Sequence, residues 1–305
     1  MNTQWLSPRS ADSDEEDTRI LPLVLEQVDE VGLSEIGRLR DHNEDFLIID
    51  SQVQRLSTGF GHQCRLRGLY ILCDGMGGHA AGEIASRRAA EVFRQEVLTH
   101  WTEQGLPADR VLRRALAIAN QELFNLNEAA HSQGRGRMGT TLVALLLGEL
   151  QAVIVHVGDS RAYRYRRRQG LEQLTLDHQV AQDAIHRGME AAIALAQPEA
   201  YQLTQALGPR ESDALDPAIC HFSLEESQLL LLCSDGLSDH ELLRELVDSH
   251  IAPMARSQAY LPHLAQDLLD LGNDCNGHDN LSLIVVRLIL KPLRLTGLEA
   301  SQAGP

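Results

Sequence analysis

Apolar residues follow two spacings along this chain, and each spacing predicts a different element. Short runs of apolar and β-branched residues predict strands at residues 46–49, 69–73, 140–147, 152–157, 229–233 and 281–286. Apolar residues three and four positions apart predict helices at residues 80–99, 108–130 and 257–271. Neighbouring strands are joined by short connections with glycine, such as Gly148-Glu149, which favours antiparallel hairpins over repeated crossovers. The pattern therefore predicts antiparallel sheets with helices in one domain.

The two ends of the chain differ from its middle. Residues 1–17 contain one arginine, five acidic residues and few apolar ones, a composition typical of a solvated tail. Beyond Pro292 the chain is polar and rich in glycine, alanine and proline. We therefore predict an N-terminal tail over residues 1–30, a folded domain over 31–290 and a C-terminal tail over 291–305.

Composition narrows the classes of protein that the chain can belong to. Its 305 residues are 43% hydrophobic, which is enough for a buried core and excludes disorder throughout. Lysine and arginine together number 27 against 43 aspartate and glutamate residues, so the formal net charge is −16. A surface of this charge repels polyanions, and we expect no nucleic-acid partner.

Cysteine usage and hydropathy predict a compartment. The five cysteines are far apart and form no CxxC pair, which argues against a disulfide framework and against a zinc site. No apolar run approaches the roughly 18 residues of a membrane span, and the first residues do not resemble an export signal. We therefore expect a cytoplasmic protein with reduced thiols and no membrane partner.

Acidic residues stand where four of the predicted strands begin or end. They are Asp45, Asp74, Asp235 and Asp279. Each one alone is most simply a turn former or a helix cap. If all four converge at one end of a sheet, like charges about 4 Å apart repel by about 4 kcal/mol at an effective dielectric constant of 20, so a cation is required. Oxygen ligands without paired histidines favour Mg²⁺ or Mn²⁺ over zinc.

Seven motifs in order along residues 31–289 resemble one known family. They are Arg40-Asp41-His42-Asn43-Glu44-Asp45, Asp74-Gly75-Met76-Gly77-Gly78-His79-Ala80-Ala81-Gly82-Glu83, Gly139-Thr140-Thr141, Val157-Gly158-Asp159-Ser160-Arg161-Ala162-Tyr163, Leu203-Thr204-Gln205-Ala206-Leu207-Gly208, Cys233-Ser234-Asp235-Gly236-Leu237 and Asp279-Asn280-Leu281-Ser282. The chain is similar to the bacterial form of the metal-dependent protein phosphatases of type 2C, the PPM family. Each motif is weak alone, but seven in the right order are a strong signal.

The resemblance implies a fold and a metal centre. The fold is α+β, a four-layer α-β-β-α sandwich of two antiparallel sheets flanked by helices. Two Mn²⁺ or Mg²⁺ ions lie at one end of the sandwich, and some bacterial relatives bind a third, weaker ion. By position, the residues implied as metal ligands are Glu44, Asp45, Asp74, Gly75, Asp159, Asp235 and Asp279. Asp74 would bridge the two ions, and Asp159 with Asp235 would contribute to the third site.

The resemblance also implies an activity. It is hydrolysis of phosphoserine and phosphothreonine in proteins by direct attack of a water that bridges the two ions. Arg40 matches the arginine that binds the substrate phosphate. His79 is a candidate general acid for the leaving group, although opening a helix is its more ordinary role, and a metal-bound water is the other candidate. The implied partners are phosphoprotein substrates and a serine/threonine kinase acting in opposition, with the protein a monomer.

Residues 179–208 resemble the flap beside the family's active site but depart from its usual sequence. This chain has Gln197-Pro198, Ala200-Tyr201 and Gln205 where bacterial relatives often have His-Pro, Arg-Asn and arginine. We expect the loss of cations to affect substrate preference more than catalysis.

A second arginine-rich feature lies at residues 161–168, where five arginines alternate with or follow two tyrosines. The alternation predicts a strand that leads into a hairpin turn. A docking patch for acidic phosphoproteins is one interpretation of the arginines, and a solvated turn is the interpretation we favour.

Two other functions are compatible with these motifs. One is a catalytically weak relative that binds phosphoproteins as a regulator, and the other is a small-molecule phosphomonoesterase on the same fold. The first would be favoured if Asp74, Asp235 or Asp279 were missing, because two ions could then not be held. All three are present, so the sequence favours the phosphatase.

Overall fold

The protein is seen here in a computed structural model that describes residues 22–58, 61–77, 81–103, 105–131 and 136–293. Within these ranges the strands are β1 (Leu23–Glu35), β2 (Asp45–Thr58), β3 (Gly61–Met76), β4 (Gly139–Thr140), β5 (Leu142–Gly148), β6 (Gln151–Val157), β7 (Arg161–Arg166), β8 (Gly170–Gln173), β9 (Ala218–Ser223), β10 (Gln228–Cys233) and β11 (Leu281–Pro292). The helices are α1 (Ala81–His100), α2 (Asp109–Ala129), α3 (Val180–His186), α4 (Ala191–Leu195), α5 (Asp235–Ser238), α6 (Leu242–Glu245), α7 (Ala252–Met254) and α8 (Leu261–Asn276). None of these helices is long and apolar enough to span a bilayer.

The strands form two antiparallel sheets. The first sheet has the order β1-β11-β10-β7-β8, and the second has the order β2-β3-β5-β6-β9 with β4 paired to the end of β3. The hairpin β2-β3 is long, and its register places Asp45 opposite Asp74 at the open end. In the first sheet β10 and β11 are direct neighbours. Residues far apart in sequence are therefore brought to the same end of each sheet.

Three apolar layers hold the four layers of secondary structure together. In β3, Leu69 and Ile71 pack with α1 and α2, whereas Tyr70 and Leu72 point between the sheets. In β10, odd-numbered residues such as Leu231 pack against the cluster that includes α8, and even-numbered ones pack between the sheets. Side chains alternate between the faces of a strand, so a strand buried on both faces is a continuous apolar run. The predicted α+β four-layer sandwich is confirmed.

Most predicted elements lie within observed ones, but the predicted start of the domain is late. The boundary at residue 31 falls inside β1, which begins at Leu23 and pairs along β11. This strand is at the edge of its sheet and is mostly half-buried, with acidic residues between apolar ones, so it gives no apolar run. Helix α8 also begins later than predicted, at Leu261 with a proline in its first turn.

One buried arginine interrupts the apolar pattern of the last strand. Arg287 is 2% exposed, and its guanidinium donates to Asp29 at 3.0 Å. Its Nη1 also donates to the carbonyl oxygens of Met254, Arg256 and Ala259, at 2.7 to 3.1 Å. A buried charge is tolerated only when paired and hydrogen-bonded, and Arg287 meets this condition. It thereby fixes the segment after α7 against the first sheet.

Candidate active site

Four aspartates from both sheets meet at one end of the sandwich. Asp45 begins β2 and Asp74 is near the end of β3. Asp235 begins α5, directly after β10 and Ser234, and Asp159 follows β6 by two residues. We call these four residues the carboxylate cluster.

The charges of the carboxylate cluster act on one another. Burial, together with the charges of Asp45, Asp235 and Asp159, holds the pKa of Asp74 well above its ordinary value. The Asp74 carboxyl is also hydrogen-bonded to Asp235. Electrostatic interactions between charges decline with distance, so Asp45, Asp159 and Asp235 lie near enough to Asp74 to affect its ionisation.

The other members are perturbed for the same reasons. Burial, opposed by hydrogen bonds from Ser282 and Ser234, raises the pKa of Asp45 to about 7. Burial and the charge of Asp235 raise the pKa of Asp159 to about 7. Burial, with the charges of Asp239 and Asp279, raises the pKa of Asp235 to about 6. The folded protein therefore opposes ionisation of each of these groups unless positive charge is supplied.

Polar contacts with the main chain fix Asp74. Its backbone N–H donates to Thr141 Oγ1 at 2.9 Å, and its carbonyl oxygen accepts from Thr140 Oγ1 and from the Thr141 N–H, each at 2.8 Å. Thr141 is in turn 2.7 Å from the hydroxyl of Ser160, the neighbour of Asp159. One network therefore positions the ends of β3 and β6 together.

A second network ties the two sheets to each other. Ser234, after β10, donates to Asp45 Oδ2 at 2.8 Å and accepts from the Ser282 N–H at 2.9 Å. Asn280 accepts from the Glu44 N–H at 2.8 Å and donates to the carbonyl oxygens of Ile36 and His42. Glu44 and Asp45 are thus held by residues of the first sheet although Asp45 belongs to the second.

Two glycines allow the start of α1 to approach Glu44 and the end of β3. A Cβ atom on Gly75 would lie 2.1 Å from the carbonyl oxygen of Gly82, and one on Gly82 would lie 2.5 Å from Glu44 Oε1. The Gly75 N–H donates to the Glu44 carbonyl oxygen at 3.1 Å. A larger residue at Gly75 would clash with backbone, and one at Gly82 would displace the Glu44 carboxylate, which explains the two glycines in the second motif.

Arg40 stands at the rim of the site. Its Nη2 contacts Asp279 Oδ2 at 2.5 Å, and its side chain is 46% exposed against 25% for Asp279. The charges of Glu44 and Asp74 also act on Arg40, so it faces the carboxylate cluster. His79, the predicted general-acid candidate, lies outside the described residues.

The donor set suits hard divalent ions, although the side chains are not arranged around one. Within the described ranges no three His, Cys, Asp or Glu side chains are placed so that they could hold a metal ion as they stand. Arg40 contacts Asp279, and Gln179 donates to Asp159 Oδ2 at 2.9 Å. Two buried oxygens, Asp45 Oδ1 and Asp235 Oδ1, have no hydrogen-bond partner. Mg²⁺ and Mn²⁺ bind carboxylate oxygens, and a bound ion would give these two buried oxygens the partner that they lack.

Residues 179–208 are packed beside Asp159. They include α3 and α4, which enclose a small core of Ala181, Ala184, Ala194 and Ala200. Gln179 begins the segment with a β-bridge to Leu203, and its side chain contacts Asp159. Gln205, which stands where bacterial relatives often have arginine, is neutral. Its side-chain amide makes two hydrogen bonds with the backbone of Asp216.

Arg161 begins β7 and is held within the fold, whereas the predicted hairpin turn lies farther on, between β7 and β8. Its guanidinium makes a two-pronged ion pair with Asp177, with Nη2 to Oδ2 at 2.7 Å, and donates to the Ser238 carbonyl oxygen. Its side chain is 15% exposed. The contact joins the segment before the flap to the end of α5, and so fixes the helix that Asp235 begins.

Sequence reasoning missed the polar residues that hold the acidic ones. Ser234, Asn280 and Thr141 lie in the motifs but received no role, and Gln179 was noted only as the start of the flap. A signal was present, since Ser234 and Asn280 are polar residues at the ends of strands that are otherwise apolar. Their partners could not be named without the register of the sheets.

Comparisons with known proteins find similar phosphatases. A family model described as protein phosphatase 2C matches residues 60–270. The serine/threonine phosphatase stp of Listeria monocytogenes serovar 1/2a is 30% identical over 256 residues, which cover 82% of this chain and 92% of that protein. The structure of the Mycobacterium tuberculosis serine/threonine phosphatase PstP/Ppp is similar with a TM-score of 0.65 and 28% identity, and covers 86% of this chain and 99% of that one. The catalytic domain of PstP in complex with two manganese ions has a TM-score of 0.63 and 28% identity over 88% of this chain and all of that one.

Proposed function

The chain belongs to the protein phosphatase 2C family, and we propose that it removes phosphate from phosphoserine and phosphothreonine side chains at the carboxylate cluster. Members of this family are metal-dependent serine/threonine protein phosphatases, and this chain is one of them. The observation that supports the site is the pair of buried, unpartnered oxygens of Asp45 and Asp235, with Arg40 paired to Asp279 at the rim. Its substrates would be products of a serine/threonine kinase.

We assign two divalent ions, Mn²⁺ or Mg²⁺, to this end of the sandwich. The residues that would hold them are the predicted ones: Glu44, Asp45, Asp74, the Gly75 carbonyl, Asp235 and Asp279. Asp159 would contribute to a third, weaker site with Asp235. When bound, such ions lower the pKa of water to give a nucleophile near neutral pH and offset the charge of phosphoryl oxygens. The related PstP catalytic domain has been solved with two manganese ions, which supports the choice of metal.

The chain's own residues bind and orient the phosphoryl group. Arg40 is the exposed cation beside the cluster, and a guanidinium presents two parallel donors that match two phosphate oxygens. Binding phosphate would exchange its contact with Asp279 for a contact with substrate, which frees a carboxylate oxygen toward the ions. Ser234 and Asn280 keep Asp45 and Glu44 in place during this exchange. The role of His79 in protonating the leaving oxygen stays a prediction.

The proposal is tested by substrate class and by metal. We expect hydrolysis of p-nitrophenyl phosphate and of a phosphothreonine peptide with Mn²⁺ to be at least about tenfold faster than with a chelator. A sugar phosphate should be turned over far more slowly than the peptide. Activity that survives chelation would contradict the metal mechanism. A preference for the sugar phosphate would favour a small-molecule phosphomonoesterase instead.

Arg40→Ala should act mainly on substrate binding. Losing a charge-assisted, two-pronged contact with phosphate is expected to raise KM for the phosphothreonine peptide about tenfold or more, with a smaller change in kcat. Arg38→Ala is the matched control, because Arg38 is two residues away and pairs with the exposed Asp274. A loss confined to kcat would show that Arg40 acts in the transition state.

A further inference from the structure

The end of the molecule opposite the carboxylate cluster carries unpaired arginines. In the β7-β8 hairpin, Arg164 and Arg166 share Glu172, at 2.8 and 3.2 Å. Arg167 and Arg168, at the turn, are exposed, and neither has a carboxylate partner in the part of the chain that the structure describes. At the other end of β7, Arg161 lies opposite Cys233 of β10 in the strand register, next to the active site. The turn with Arg167 and Arg168 is therefore at the end of β7 that is far from the active site.

These two arginines line a groove that continues along the first sheet. Arg167, Arg168, Leu23 and Leu290 line a cavity of about 670 Å³. Arg167 and Ser227 also line a neighbouring cavity of about 650 Å³, which extends to Arg256. We call the two together the arginine groove. Glu225 and Glu226 also line the first cavity. The arginine groove therefore has three arginines, Arg167, Arg168 and Arg256, and two carboxylates. The groove is positive in a chain whose formal net charge is −16.

The chain itself supplies an acidic segment close to the groove. Five of the six residues at 12–17 are acidic, namely Asp12, Asp14, Glu15, Glu16 and Asp17. The chain enters the described fold at Pro22 and Leu23, and Leu23 is part of the groove wall. Five residues lie between Asp17 and Leu23, so the two are at most about 22 Å apart along an extended chain. Every acidic residue of the segment can therefore reach Arg167 and Arg168.

We propose that residues 12–17 bind in the arginine groove of the same chain. Opposite charge gives the attraction, and the short connection keeps the segment at an effective concentration on the order of millimolar. The contact leaves the carboxylate cluster open, because the groove lies at the other end of β7. An acidic protein that binds this face must first displace the chain's own segment.

Carbodiimide coupling tests the contact, because it joins a carboxylate only to an amine with which it is in contact. Lys291 is the only lysine of the chain, and it lies 2.7 Å from Glu26. This pair gives an internal positive control in every sample. In the full chain with Arg168→Lys, we expect the introduced lysine to couple to residues 12–17. The yield should be at least about fivefold above that of Arg110→Lys on α2, and about 0.5 M salt should reduce it by half or more.

Three results would overturn the proposal. One is coupling of the introduced lysine to its hairpin and groove neighbours alone, with no product from residues 12–17. Another is a yield no higher than that of Arg110→Lys. The third is coupling only between molecules, detected as a cross-linked dimer, which would make a second copy the occupant.

A second measurement does not depend on the introduced lysine. Replacing all five acids of residues 12–17 with asparagine or glutamine in the full chain should expose the groove. Phenylglyoxal should then modify Arg167 and Arg168 about threefold faster while modification of Arg110 is unchanged. If the rates at Arg167 and Arg168 in the variant equal those in the unaltered chain, the proposal is contradicted.

Discussion

We expect Asp74→Asn to lower kcat/KM for a phosphothreonine peptide by about 1000-fold while the protein stays folded. The charges of the three other aspartates raise the pKa of Asp74, and its carboxyl is hydrogen-bonded to Asp235. Asp74 is therefore the central member of the carboxylate cluster. Asparagine keeps the size of the side chain but removes the negative charge that would hold two cations. Removing one preorganised electrostatic contact costs enzymes about 100- to 1000-fold, and loss of an ion costs at least the upper value. Initial rates at saturating Mn²⁺ measure the effect.

The same substitution should stabilise the chelated protein, which separates loss of chemistry from loss of fold. Without ions, burial and the neighbouring aspartates raise the pKa of Asp74, so this carboxyl costs the folded state free energy near neutral pH. A higher melting temperature of Asp74→Asn in chelator is therefore expected together with the lost activity. Asp248→Asn is the control, since Asp248 is exposed and lies between α6 and α7, outside the carboxylate cluster. Full activity of Asp74→Asn would contradict the assignment of the site.

In chelator, the free energy of unfolding should fall as pH rises from about 4 to about 8. The unfolded aspartates titrate near pH 3.9, whereas burial raises the pKa of Asp45 and Asp159 to about 7 and that of Asp235 to about 6. Over this window the folded state binds more protons than the unfolded state. Stability therefore decreases with pH, by several kcal/mol in all, or about 10 °C in melting temperature.

Saturating Mn²⁺ should largely remove this pH dependence. Ions bind the ionised carboxylates of the folded state and so stabilise it most at high pH, where the chelated protein is weakest. Thermal unfolding at about pH 5 and pH 8, with chelator and with Mn²⁺, measures both slopes. Asp159→Asn should reduce the slope in chelator, and Asp248→Asn should not. A slope of the opposite sign in chelator would contradict the electrostatic account of the cluster.

Elements buried on both faces could be predicted from the sequence, and edge elements could not. Residues 69–73 and 229–233 are continuous apolar runs because a sheet or helix covers each face. Strand β1 has one neighbour and mixed exposure, so its sequence resembles that of a polar tail. Only its pairing with β11, some 250 residues later, identifies it as a strand.

The acidic residues of the site could be predicted, but their supporting contacts could not. Asp45, Asp74 and Asp235 are at strand ends that the apolar pattern already marks. The hydrogen bond from Ser234 to Asp45 joins positions 189 residues apart, and the one from Gln179 to Asp159 depends on how the flap packs. Such contacts follow from sheet register and packing between sheets, which no local pattern in the sequence contains.

Each of the two sheets contributes acidic residues to the site. Asp45 and Asp74 move with the second sheet and Asp235 with the first, while the apolar layer of Tyr70, Leu232 and their neighbours sets the spacing between them. A change in the distance between the sheets would shift the carboxylates relative to one another without breaking a strand pairing. The catalytic rate is therefore expected to be sensitive to the distance between the two sheets. Library selection for better packing of that layer should be scored by turnover as well as by melting temperature.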